Sequence, residues 1–161
     1  AAHGGVEEVD ARVGLDDPRQ LLLVGHHRVE GRPLLRLGRP AESLAFARRA
    51  EAALGASQGK DHPAAVAAAV AAGWALIESG RAAEAIPALE RSAAVLATAE
   101  VGPAPRAAAR FALAEALTRT GRDPRRARTL ADESAALYGG TVGHGHELAE
   151  VRRWLAAHAG R

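Results

Sequence analysis

The stretch GWALIESGRAAEAIPALERSA, Gly73–Ala93, places one glycine against a tryptophan and a second glycine seven residues later, in a run otherwise made of helix formers. Its skeleton recurs on both sides. GRPAESLAFARRAEA starts at Gly38, GRAAEAIPALERSAA at Gly80 and GRDPRRARTLADESAA at Gly121. The Gly-Arg pair returns after 42 and then 41 residues, with one extra residue in the third turn. Beyond that insertion the register holds: Ser43, Ala85 and Ala127 correspond, as do Ala50, Ser92 and Ser134. Seven residues before each Gly-Arg stand Gly31, Gly73 and Ala114. All of these residues are small. Glycine inside a helix costs about 1 kcal/mol relative to alanine, so Gly73 is expected where a side chain would collide with a neighbouring helix. The glycine of each Gly-Arg pair is expected to end a helix in the left-handed conformation.

Composition agrees with helices that approach closely. Hydrophobic residues make up 48% of the 161 residues but aromatics only 3%, which leaves the packing to alanine, leucine and valine. The formal net charge is +2, and the sequence pI near 9.9 reflects arginine, with Lys60 the lone lysine. So small a charge gives no footprint for nucleic acid, and none is expected as a partner. Cysteine is absent, which removes disulfides and thiolate metal sites. Methionine is absent even at position 1, so a fragment or processed product is expected. The longest uncharged run, residues 62–77, is short of a membrane span and largely alanine. No N-terminal basic-plus-apolar signal stands out, and a soluble, cytoplasmic protein without membrane contact is the expectation.

The spacing gives paired helices. First helices are expected at Asp17–Leu37, His62–Ser79 and Pro105–Thr120, and second helices at Pro40–Leu54, Ala82–Ala99 and Pro124–Tyr138. Asp17-Pro18, Asp61-His62-Pro63 and Asp123-Pro124 read as helix starts, an acid at the N-cap with proline in the first turn. A last helix, Glu147–His158, carries Leu148, Val151 and Leu155 on one face and is suited to capping a stack. Gly25, Gly31 and Pro33 all fall in the first helix, and Pro33 should kink or break it. The chain then divides into a linker or repeat remnant (1–16), three repeats (17–57, 58–99 and 100–140), and a linker with a capping helix (141–161).

Gly73, Leu76, Gly80-Arg81, Glu84-Ala85 and Ser92, with a His-Pro opening the helix, resemble the tetratricopeptide repeat, and the 42-residue period resembles its kinesin-light-chain-like variant. The resemblance covers Asp17–Gly139 and implies an all-α, right-handed α-solenoid of about three helix pairs. The segment ARFALAEALTRTGRDPRRARTLADESAALYGG, with HELAEVRRWLAAH, resembles the C-terminal end of repeat arrays attached to bacterial serine/threonine protein kinases. Such arrays act as interaction or regulatory tails. Two departures accompany the likeness. The paired asparagines that clamp a peptide backbone in longer repeats are Val70 and Ala71 here, and the usual second-helix aromatic is Ala47, Leu89 or Ala131.

By that resemblance the first helices line a concave face. Transferred positions put Arg28, Arg32, Leu35 and Arg36 there from the first pair, Trp74, Ile77 and Glu78 from the second, and Phe111, Glu115 and Arg119 from the third. The implied groove is basic at one end, has two aromatic anchors, and suits a protein or peptide with acidic and apolar groups. The alternative for each aromatic is that it fills a gap between adjacent helix pairs. Self-association through the same helices is the rival function, and the oligomeric state is open.

The remaining motifs carry little chemistry. GASQG, Gly55–Gly59, has the Gly-x-Ser-x-Gly pattern, but the nucleophile elbow needs a strand before the serine, and an alanine-rich helix precedes Ser57. A small serine hydrolase using Ser57 is therefore a remote alternative, with labelling by a serine-reactive phosphonate as its test. The same loop has the wrong glycine spacing for a phosphate loop, and Asp61 follows Lys60. His144, His146 and Glu147 sit in one short segment with too few fixed ligands for a metal, and His26-His27 point about 100° apart on a helix. Arg119–Arg128 is densely basic without interleaved aromatics, which suits local salt bridges. Kinase loops are absent, no catalytic residue is assigned, and neither cofactor nor metal is expected.

Overall fold

The structure, a computed structural model, describes residues 39–159. Six helices follow one another: α1 (Pro40–Gln58), α2 (Pro63–Glu78), α3 (Ala82–Thr98), α4 (Pro103–Arg119), α5 (Pro124–Gly139) and α6 (Gly145–Ala157). No strand occurs among the described residues. The expected helix Asp17–Leu37, with Gly25, Gly31, Pro33 and the three arginines Arg28, Arg32 and Arg36, lies outside them, as does Gly38.

Helix starts follow from local chemistry. Proline occupies the first turn of α1, α2, α4 and α5, where its missing N–H costs nothing. At α2 it is His62 rather than Asp61 that caps: its Nδ1 accepts from the Ala64 amide at 3.2 Å. Asp123 caps α5 by accepting from the Arg126 amide at 3.0 Å, and it sits at φ 39°, left-handed. α4 begins at Pro103, two residues before the expected Pro105, because Gly102 supplies the extended N-cap. α1 runs to Gln58 instead of Leu54, so the GASQG motif is mostly helix, ended only where Gly59 turns to φ 99°.

The two described Gly-Arg turns are built alike. Gly80 (φ 74°) and Gly121 (φ 66°) take the left-handed conformation. The next amide, of Arg81 or Arg122, reaches back to the Leu76 or Leu117 carbonyl at 2.8 and 2.9 Å. This is the Schellman closure, which satisfies carbonyls that the helix end leaves open. The arginine then forks onto a glutamate three residues on. Arg39–Glu42 and Arg81–Glu84 both close at 2.7 Å, and in the third turn the inserted Asp123 takes over the start of the helix.

Each helix packs on the next in sequence, and α2 also packs directly on α4, so first helices stack on first helices. Small residues set the spacing: Ala85, Ala114, Ala127 and Ala131 are fully buried. A Cβ on Gly73 would come within 2.6 Å of Leu89 Cδ2, so the glycine is what admits α3. Side-chain bonds to backbone carbonyls also tie helices to one another. Ser134 Oγ donates to the Ala107 carbonyl at 2.9 Å, and Arg106 donates to the Leu96 and Ala99 carbonyls at 3.0 and 2.7 Å, closing the C-terminus of α3 from α4. Successive second helices are joined at the surface by Glu51–Arg91 at 3.3 Å and Glu90–Arg126 at 2.8 Å.

Candidate functional site

The first helices α2 and α4 carry the described part of the expected groove, and α6 completes their row. Trp74 and Phe111 meet, ring centroids 5.7 Å apart, and Phe111 meets Trp154 of α6 edge-on at 6.2 Å. His158 stacks on Trp154 at 4.3 Å. An aromatic seam therefore runs across three successive first helices. Trp74 and Phe111 are only 5% and 6% exposed, so both fill the space between neighbouring helix pairs. Ile77 is buried in the same layer.

Charge lies along the edge of this seam. Glu78 is exposed one turn beyond Trp74. Glu115 is nearly enclosed, its side chain 14% exposed. One of its oxygens accepts from Arg119 Nε at 2.9 Å and the other from the Trp154 indole N–H at 2.5 Å. The structure thus brings together Trp74 with Phe111 and Glu115 with Arg119. Next to them, a shallow depression of about 390 Å³ is lined by Ile77, Arg81, Ala83, Glu84, Arg119 and Thr120, where the α2–α3 turn meets the end of α4. In its wall the Arg81 guanidinium holds the Glu84 carboxyl below its ordinary value through their hydrogen bonds, and Glu84 in turn raises Arg81.

Sequence reasoning assigned neither Trp154 nor His158. The signal was available for Trp154, which lies three residues after Val151 on the face already recognised for α6. Arg81 also belongs to this neighbourhood, brought in by the turn. The other motifs are placed as follows. Ser57 Oγ donates to the Leu54 carbonyl at 3.3 Å, a bond along its own helix. His144 Nδ1 lies 3.5 Å from Glu147 Oε1 and makes no hydrogen bond, while its ring rests on Tyr138. No group of three or more His, Asp or Glu side chains among the described residues is arranged to hold a metal ion. Within Arg119–Arg128, Arg126 pairs with Glu90 of α3, and Arg128 lies 3.8 Å from Asp132. No helix among the described residues is long and apolar enough to cross a membrane.

Residues 32–98 match the family model of the tetratricopeptide repeat. A comparison with curated proteins finds no match. Among solved structures, the chain is similar to nearly identical TPR-like repeats from a Podosopora anserina protein assigned as a kinesin light chain. The TM-score is 0.63 at 22% identity over 84% of this chain and 67% of that one. A single-substitution variant of the same repeats gives 0.62 and 22%, over 83% and 66%. The chain spans about two thirds of the length of each. The repeated Gly-Arg turn, the stacking of first helices on first helices and these matches together show an α-solenoid with the fold of tetratricopeptide repeats, whose family model residues 32–98 match.

Proposed function

We propose that the protein is a non-catalytic protein-interaction module that docks a segment of a partner on the concave face of its first helices. The observation that carries this reading is the charged edge of Glu78, Arg81, Glu115 and Arg119 beside the seam of Trp74 and Phe111. The aromatics fix the helices, and the rim and the depression beside it are the parts open to a partner. Arg28, Arg32 and Arg36 extend the rim on the sequence reading, which gives a preference for a peptide with acidic and apolar groups. Titration of labelled peptides of that composition tests it. Arg119→Glu should weaken binding at least tenfold, whereas Arg91→Glu, on the second helices, should leave it within twofold. Equal effects of both substitutions reject the groove.

The wider setting rests on the resemblance of the last repeat and α6 to bacterial kinase tails. In that setting the module is a cytoplasmic regulatory tail that raises the effective concentration of a substrate or activator at a linked kinase domain. Reading the codons upstream of Ala1 tests it: the glycine-rich, His-Arg-Asp and Asp-Phe-Gly loops are expected there, and further repeats alone would make the protein a scaffold. Self-association is the second reading, favoured by one observation: the chain's own α6 already lays Trp154 on Phe111 and Glu115. Light scattering over a dilution series decides it, since a strictly monomeric chain removes the idea.

A further inference from the structure

The surface that holds α6 is a seat for a helix, and its resident is lightly held. Val151 is the only buried residue of α6, whereas nine residues of α4 are buried. Leu148 and Leu155 are partly buried against the core and the His144 ring meets Tyr138 at the start of α6, while the directional contacts gather at its other end. Trp154 gives its indole N–H to Glu115, meets Phe111 in a perpendicular pair and stacks against His158. The Arg128 guanidinium reaches the His158 carbonyl at 3.4 Å, a long bond. The connection from α5 is held at its start, where Thr141 Oγ1 donates to the Leu137 carbonyl at 2.7 Å, and then passes through a fully exposed Val142 and Gly143 at φ 90°. A helix with few buried side chains is the kind of element that opens locally while the remainder stays folded.

We infer that α6 is an exchangeable occupant: it leaves as a unit, and the seat on α4 and α5 then accepts an amphipathic helix of a partner that carries an indole donor three residues from an aliphatic side chain, as Trp154 and Val151 do. The seat specifies that chemistry. Glu115 is a largely enclosed carboxylate: one oxygen accepts from Arg119, and the other faces the seat, where an N–H donor satisfies it. Phe111 stands perpendicular to the indole beside it, an arrangement that suits an aromatic ring there. A phenylalanine in the indole's place would satisfy the second requirement and leave the first unmet. This inference deepens the docking reading above and rests on it, adding the partner's chemistry and the element that regulates its access.

The test uses the full chain and, as probe, a fluorescent peptide of the chain's own residues 141–161. Hydrogen exchange of the wild-type chain should show the α6 amides exchanging at least tenfold faster than those of α2 and α4. Fluorescence anisotropy should show the peptide binding the Trp154→Ala chain at least tenfold more tightly than wild type, because the resident helix competes less. The peptide carrying Trp154→Phe should bind that chain at least fivefold more weakly. Protection of α6 equal to that of α4, or equal peptide affinity for the two chains, overturns the inference. Should Trp154→Ala fail to fold by circular dichroism, the Glu115→Gln chain replaces it. Loss of protection confined to α6 is then expected, and unchanged protection there overturns the inference. The Arg119→Glu titration with acidic peptides addresses the docking reading separately, because the exchange measurement needs no external partner.

Discussion

At the scale of single residues, the pairing of Gly73 with Leu89 carries the most information. Leu89 stands where the repeat usually has an aromatic, and its Cδ2 fills the space a side chain on Gly73 would need. In the next repeat the corresponding residues are Ala114 and Ala131, a larger residue on the first helix and a smaller one on the second. The two repeats thus divide the same gap differently. Gly73→Ala should therefore destabilise: overpacking costs about 1–3 kcal/mol, and helix propensity returns about 1 kcal/mol. In a Leu89→Ala background the same substitution meets an empty space and should stabilise by about 1 kcal/mol. Urea denaturation of the four proteins in this cycle tests the reversal of sign, and an unchanged sign removes the packing role of Gly73. Sequence comparison of the repeats found the small position and the missing aromatic separately. That one explains the other requires the distance between two helices, which spacing along the chain does not contain.

Helix ends divide into those written locally and those completed from elsewhere. Gly80 and Gly121 were legible because a left-handed residue followed by a returning amide is a local event. His62, Gly59 and Gly102 shifted the expected bounds of α1, α2 and α4 by small amounts, since several neighbouring residues can each cap or stop a helix. Arg106 left no local trace, because it closes α3 from a different helix. Arg106→Met keeps the stem and removes two charge-assisted bonds, so a loss of about 1–3 kcal/mol is expected, with faster amide exchange at the end of α3. A stability loss without that local change would assign Arg106 to packing instead. The Arg81–Glu84 fork provides a pH signature of opposite locality. Glu84 has a folded pKa below its unfolded one, so its contribution is present above the unfolded value and is lost as pH falls through the folded value. Glu84→Gln should thus narrow the stability gap to wild type as the solution is acidified below the ordinary carboxylate range. Both groups are solvent-exposed, so the gap should be small and shrink in high salt.

At the scale of the whole molecule, a solenoid holds together through contacts between neighbours, and its cooperativity depends on how strongly each repeat is coupled to the next. The spacing of the Gly-Arg turns, the two described helix pairs and the last helix were readable from the sequence, because each is a pattern along one chain. The seam was readable only in part: Trp74 and Phe111 stood out as isolated aromatics in an alanine-rich background, but their burial and their continuation into Trp154 depend on the stacking. Phe111 is the link in this seam that touches both neighbours, Trp74 on α2 and Trp154 on α6. Its removal should therefore affect coupling as well as stability. Phe111→Ala is expected to cost about 3–5 kcal/mol and to separate the unfolding of α6 from that of the earlier helices. Phe111→Leu, which keeps most of the volume and loses the aromatic ring, should cost less and preserve a single transition. Circular dichroism and tryptophan fluorescence followed through the same urea titration distinguish the two variants. Coincident curves for Phe111→Leu and divergent ones for Phe111→Ala are the expected result, while coincident curves for both would show that the coupling between repeats runs through the helix backbones and their small residues instead of through the aromatic seam.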